Sequence, residues 1–148
     1  MMETPATIVN HVGMMIRISR KALTELMARA AAESTEICGL LLGRGNVVEM
    51  VMPTHNVAAD PACWFEIDPA ALIAAHRASR GGGPAVLGHY HSHPLGVAQP
   101  SAMDAASAHA DGAVWLIIGN GEATAWVAGA AGLHGRFSPC AIDLMADD

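Results

Sequence analysis

Apolar positions along this chain switch between a period of two and a period near 3.6, and the switch points mark out its elements. Residues 12–18 read as a strand and Ser19 as an N-cap, after which Leu23, Leu26, Met27 and Ala30 recur on one helical face. Residues 37–43 and 47–52 are apolar runs around Arg44-Gly45-Asn46, which predicts a hairpin. Asp68 and Pro69 form an N-cap and N1 pair for a helix to about Ser79, closed by Gly81, Gly82 and Gly83. Residues 84–91 make an apolar run that leads into a histidine pair and Pro94, the pattern of a buried strand. Pro100 and Ser101 then open an alanine-rich helix, 102–110, running to Gly112. Two strands, 113–118 and 123–127, are joined by Gly119-Asn120-Gly121-Glu122, a hairpin signal. Residues 129–148 carry the weakest pattern, read as one strand near Arg136 and an acidic tail.

The order is that of an α/β protein, with no internal repeat and no linker. At 148 residues it suits one domain, 1–148, with a single core. Composition narrows the class further. Hydrophobic residues make up 52% and charged residues only 15%, yet the longest apolar run is far shorter than the roughly 18 residues a membrane span needs. The start of the chain has no basic segment followed by a long apolar stretch, so no secretory signal is expected and the cytoplasm is the expected location. A formal charge of −6, with few and scattered Lys and Arg, argues against nucleic acid as a partner. Cys38, Cys63 and Cys140 are odd in number, widely spaced and without a C-x-x-C, so they read as buried free thiols.

Chemistry concentrates in one segment, His91-Ser92-His93 followed by Ser101-Ala102-Met103-Asp104. Side chains at i and i+2 of a strand leave the same face, so His91 and His93 can converge on one ion while Ser92 points away. Ser101 and Asp104, three apart in a first helical turn, also share a face. Ser-x-x-Asp is equally a helix capping pattern, and alone it would be read as one. Together with His-x-His it offers two imidazoles and a carboxylate, a three-ligand shell that leaves the fourth position of zinc open and therefore catalytic. His89 shares the strand face of His91, but His89 and His93 would be about 13 Å apart in an extended strand, so one ion cannot take all three. His89 is assigned to packing or support; His55, His76, His109 and His134 lack any ligand pattern.

His91-x-His93-x7-Ser101-x-x-Asp104 resembles the signature of the JAMM (MPN-type) metallopeptidases. Glu36-Ile-Cys-Gly-Leu-Leu-Leu-Gly43 resembles their upstream glutamate segment, and Phe65-Glu-Ile-Asp-Pro69 and Gly88-His-Tyr-His-Ser-His-Pro94 resemble the bacterial JAB-domain branch. The similarity covers about residues 15–128. It implies a mixed, curved β-sheet flanked by helices, related in architecture to cytidine deaminases. It further implies one Zn2+ per chain on His91, His93 and Asp104, with Glu36 as general acid/base and Ser101 stabilising the oxyanion. Zinc would bring water's pKa towards about 7 and polarise the scissile carbonyl. The implied substrate is the Gly-Gly tail of a ubiquitin-like sulfur-carrier protein, or another peptide tail laid along a sheet edge. Deaminase chemistry is not expected, because there is no His-x-Glu and Ser138-Pro139-Cys140 lacks the second cysteine of P-C-x-x-C. The rival readings are a zinc-binding MPN module that only presents a surface, and a RadC-like JAB protein. Cys38, at i+2 from Glu36, is expected on the Glu36 face as a small core residue. The loops 57–65, with Trp64, and 95–100 are expected beside the metal, either clamping substrate or packing.

Overall fold

The structure, a computed structural model, describes residues 14–146. Its elements are β1 (Met15–Ser19), α1 (Arg20–Ala32), β2 (Cys38–Arg44), β3 (Val47–Thr54), α2 (Pro69–Arg80), β4 (Ala85–His93), α3 (Ala102–Ser107), β5 (Val114–Gly119), β6 (Glu122–Leu133) and β7 (Phe137–Met145). The strands run β1-β3-β2-β4-β5-β6-β7 and close into a barrel, with β1 parallel to both β3 and β7. The sheet is mixed: β4 and β5 are parallel, joined by the crossover that carries α3, and the remaining neighbours are antiparallel.

Most elements follow the local signals. Ser19 Oγ accepts from the Ala22 amide at 3.0 Å and starts α1; Asp68 Oδ1 does the same for Ala70 at 3.0 Å and starts α2. Asn120 and Gly121 have φ of 50° and 75°, the paired left-handed geometry of a tight β5–β6 hairpin. β2 and β5 are buried along nearly their whole length, which is why they read as continuous apolar runs rather than alternating ones.

One face of the sheet packs Ile16, Ile18, Leu41, Tyr90, Leu116 and Ile118 against Leu23 and Leu26 of α1. The opposite face holds two further clusters, one around Cys38, Phe65, Trp115 and Phe137 and the other joining Leu40 and Leu42 to Ala75 of α2.

Four expectations need correction. α3 stops at Ser107 instead of continuing to 110, because Ala108 turns to extended backbone at ψ 154° while its amide closes the last turn on Asp104 O. β6 runs on to Leu133, and the segment read as a short strand and tail is β7, reaching Met145 and closing the barrel against β1. Alanine and glycine hide the alternation in the first case. In the second, Pro139 sits inside the strand, opposite Trp126, and a proline ordinarily argues against a strand interior. Cys63 is exposed, whereas Cys38 and Cys140 are buried; all three are free thiols. Residues 12 and 13 of the first expected strand, and the last two of the tail, lie outside the described residues.

Gly88 sets how closely β4 approaches β5. A Cβ there would lie within 2.7 Å of the Val114 backbone carbon and nitrogen, a separation that backbone cannot yield without breaking the ladder. Gly88→Ala is expected to destabilise the fold by about 1–3 kcal/mol, as overpacking does. A denaturant midpoint equal to wild type would contradict the close approach.

Candidate metal centre

β4 delivers His91 and His93 from its last turn of pleat, and β2 lies antiparallel beside it with Cys38 opposite His91. Beyond the last paired residues the two chains stay bonded: Ile37 N donates to Ser92 Oγ at 2.9 Å, and Ser92 N donates to Ile37 O at 3.1 Å. Ser92 does leave the face of the histidines, but it is a tie between two segments and not an idle residue. Glu36 stands next before Ile37, 6% exposed.

α3 supplies the rest. Ser101 Oγ accepts from the Asp104 amide at 3.0 Å, and Asp104 Oδ2 accepts from the Ser101 amide at 2.8 Å, a complete capping box. The same carboxylate, fully buried, points at the histidines: His91 Nε2 to Asp104 Oδ1 is 3.3 Å and His93 Nε2 to Asp104 Oδ2 is 3.4 Å. The two Nε2 atoms are 3.1 Å apart. The capping reading of Ser-x-x-Asp is therefore realised, and the same Asp104 side chain faces the two histidines.

The residues fit a metal ion. Ligands about 2.0–2.1 Å from a tetrahedral ion lie about 3.3–3.4 Å from one another, which matches the 3.1–3.4 Å spread of these donors. A ligand atom of Glu36 lies within 4.8 Å of ligand atoms of both imidazoles, a group of one acid and two histidines, and Asp104 approaches the same two histidines from α3. Glu36 Oε1 is buried without a hydrogen-bond partner, and Asp104 Oδ1 has only the 3.3 Å approach of His91 Nε2, an arrangement that an ion or a bound substrate would satisfy.

The surroundings set the tautomer of one histidine. His93 Nδ1 lies 2.9 Å from Val97 O, so it carries the hydrogen and leaves Nε2 a free lone pair. His91 Nδ1 is buried and has no such acceptor. The ring of Phe65 instead lies flat on His91, centroids 4.1 Å apart and planes at 14°.

Burial is the largest single cause at each of the four groups, but it does not always decide the direction. It lowers the pKa of His91, against the pull of Asp104. For Asp104 burial acts upward, but hydrogen bonds and charge from both histidines outweigh it and hold the carboxyl well below the usual range. For His93 burial acts downward and loses to Asp104 and the Val97 carbonyl, leaving a net rise. Glu36 has little to offset desolvation and is pushed up to about 7.

The other histidines separate cleanly. His89 packs edge-on against Trp115, centroids 4.3 Å apart, and burial pushes it down to about 3, so it is a neutral packing group. His134, which had no pattern to commend it, reaches the carbonyl of Pro100 at 3.2 Å from the β6–β7 turn. Thr124 of β6 likewise donates to Ala98 O. Together they tie down the loop 94–100 that leads to Ser101. No sequence period could have shown these ties, since each spans more than 25 residues. Trp64 is half-buried on Phe65, 5.0 Å between centroids, and so packs rather than standing free. Leu95, Val97 and Met103 are exposed around His93 and Ser101.

A barrel of this strand order, with two histidines at a strand end and an acid in the next helix's cap, is an α/β domain whose clustered side chains could hold a metal ion. The chain belongs to the family of prokaryotic homologs of the JAB domain, which it matches over residues 19–129. It is 38% identical over 84 residues to a desampylase of Haloferax volcanii, covering 55% of this chain and 60% of that one. It is 39% identical over 93 residues to a probable TtuB-protein conjugate cleaving protease of Thermus thermophilus, covering 62% of each. The chain thus spans about three fifths of the length of these two relatives. Among solved structures, a protein of Desulfitobacterium hafniense superimposes with a TM-score of 0.75 at 31% identity, over 90% of this chain and 94% of that one.

The buried carboxyl gives a pH prediction for the metal-free protein. Because the folded pKa of Glu36, about 7, lies above its ordinary 4.5, the stability it confers is full below pH about 4.5 and is lost as pH rises through about 7. Glu36→Gln should therefore be more stable than wild type at pH 8, by roughly 3 kcal/mol from the size of the shift, with the gap closing towards pH 4.5. Equal melting temperatures at pH 8 in chelator would show that Glu36 is not buried as described.

Proposed function

We propose that this chain is a zinc-dependent peptidase of the JAMM type. It cuts a peptide or isopeptide bond at the C-terminal Gly-Gly tail of a ubiquitin-like protein, most specifically a sulfur carrier, in the cytoplasm. The observation that carries the reading is the crowding of His91, His93 and Asp104 donors at 3.1–3.4 Å beside a buried Glu36. The names of its relatives, a desampylase and a conjugate-cleaving protease, support the substrate class. No helix among the described residues is long and apolar enough to cross a membrane.

His91 and His93 through Nε2, and Asp104 through its carboxylate, would hold the ion. When bound, zinc supplies Lewis acidity that polarises a carbonyl and acidifies water. Glu36, with a pKa near neutrality, takes the proton from the attacking water and returns it to the leaving amine. Ser101 has its acceptor side engaged by the Asp104 amide, so its O–H remains available to donate to the oxygen of the tetrahedral species. The exposed Leu95, Val97 and Met103 give a protein substrate apolar surface to rest on beside the cleavage point.

The test measures zinc content and cleavage of a sulfur carrier bearing a C-terminal extension. Wild type and Glu36→Gln should each hold about one zinc per chain, and His91→Ala and Asp104→Ala should lose it. Turnover by Glu36→Gln should fall by about 10²–10⁴, the usual worth of a general acid/base. A surface-presenting module would keep its metal and partner in Glu36→Gln and show no turnover to lose. Wild type without zinc, or Glu36→Gln at the wild-type rate, would overturn the proposal.

A further inference from the structure

We infer that Asn56 is a positioning residue of this site, one side-chain amide that fixes both the segment carrying Glu36 and the segment whose Phe65 ring covers His91. The inference rests on the peptidase reading above for its functional consequence, and on hydrogen-bond geometry for its substance. Asn56 lies two residues beyond β3, where it makes an isolated antiparallel bridge to Ile67 across the base of the loop 57–66.

Its Nδ2 donates to Glu36 O at 2.8 Å and to Trp64 O at 2.9 Å, with a longer approach to Pro61 O at 3.5 Å. Its Oδ1 accepts from Ala58 N and from Glu66 N, each at 3.0 Å. Trp64 and Glu66 are the neighbours of Phe65, so the backbone on both sides of the stacked ring is held by this amide. The loop grips Glu36 a second time, because the Glu36 amide donates to Pro61 O at 2.7 Å. Both backbone polar groups of Glu36 therefore end on Asn56 or on the loop that Asn56 closes.

Only a primary amide places two donors and a two-lone-pair acceptor at one point. Aspartate would keep the contacts to Ala58 and Glu66 but turn an oxygen towards the carbonyls of Glu36 and Trp64. Alanine would release all of them. A shift of about 1 Å in a reacting group commonly costs about a hundredfold in rate, so slack in this loop is felt at Glu36 while the zinc ligands of β4 and α3 stay where they are.

The experiment compares wild type, Asn56→Ala and Asn56→Asp as full chains by conjugate cleavage, zinc content and amide hydrogen exchange. In both variants kcat should fall about tenfold to a hundredfold, the range expected of a misplaced catalytic group. KM should stay within about threefold, a change too small to indicate lost substrate binding. Zinc should remain near one per chain. Exchange at the Glu36 and Glu66 amides should accelerate by roughly tenfold or more while those of Leu40, Leu41 and Leu42 keep their protection, the mark of local release. Unchanged protection at Glu36, acceleration that extends through β2, or an unchanged kcat with a released loop would each overturn the inference. Wild type without turnover on any conjugate would sink the peptidase reading by itself, and the exchange pattern would still decide whether Asn56 holds the loop.

Discussion

The register of β2 against β4 is the constraint on which the rest depends. With Cys38 opposite His91, the antiparallel step carries Ile37 to Ser92, where two hydrogen bonds continue the pairing, and so brings Glu36 level with His93. A slip of one residue would turn Glu36 to the opposite face and leave the histidines without it. The register is protected sterically as well. Gly39, opposite Tyr90, leaves room for the phenol ring, which a Cβ would strike, and Gly88 admits the Val114 backbone. Two glycines thus help specify the geometry of a site that neither of them touches.

Around that register the site collects groups that are costly to bury and arranges them to satisfy one another. Asp104 stays ionised because two imidazoles and the Ser101 amide surround its oxygens. Glu36 has no comparable partner, so desolvation decides and its pKa rises. The pKa values of two carboxylates in one site are thereby driven apart, one group held as an anion and the other left near neutrality. The separation follows from place in the fold, since Asp104 sits at a helix cap and Glu36 against a loop.

Legibility in the sequence followed the range of the interaction. The N-caps at Ser19 and Asp68, the hairpin at Asn120-Gly121 and the i, i+2 pair His91 and His93 rest on contacts within a few residues, and each was readable from spacing. The strand near Arg136 was readable, but the length of β7 and its partner were not, because their evidence is the pairing of Met15 with Ala141 and Ile18 with Leu144 across the chain, while Pro139 argued locally against a long strand. The stacking of Phe65 on His91 and the tie from His134 to Pro100 are of the same kind. Phe65 was visible only as part of a motif, without a role, and Cys63 was misplaced because a cysteine's usual burial says nothing of a loop tip held by the turn from Asp60.

Asp104 shows why a modest local reading and a chemical one need not compete. As the third residue of the helix and the closing member of the capping box, its rotamer is fixed by the Ser101 amide, and the helix it caps is only six residues long, with little cohesion of its own. That short helix persists because its cap is also anchored to β4 through His91 and His93. The cap orients the carboxylate for the site, and the site in turn holds the cap. A carboxylate held this way needs no large rearrangement to meet a cation, since the ordering has been done by folding, and the site inherits its rigidity from the barrel that closes around it.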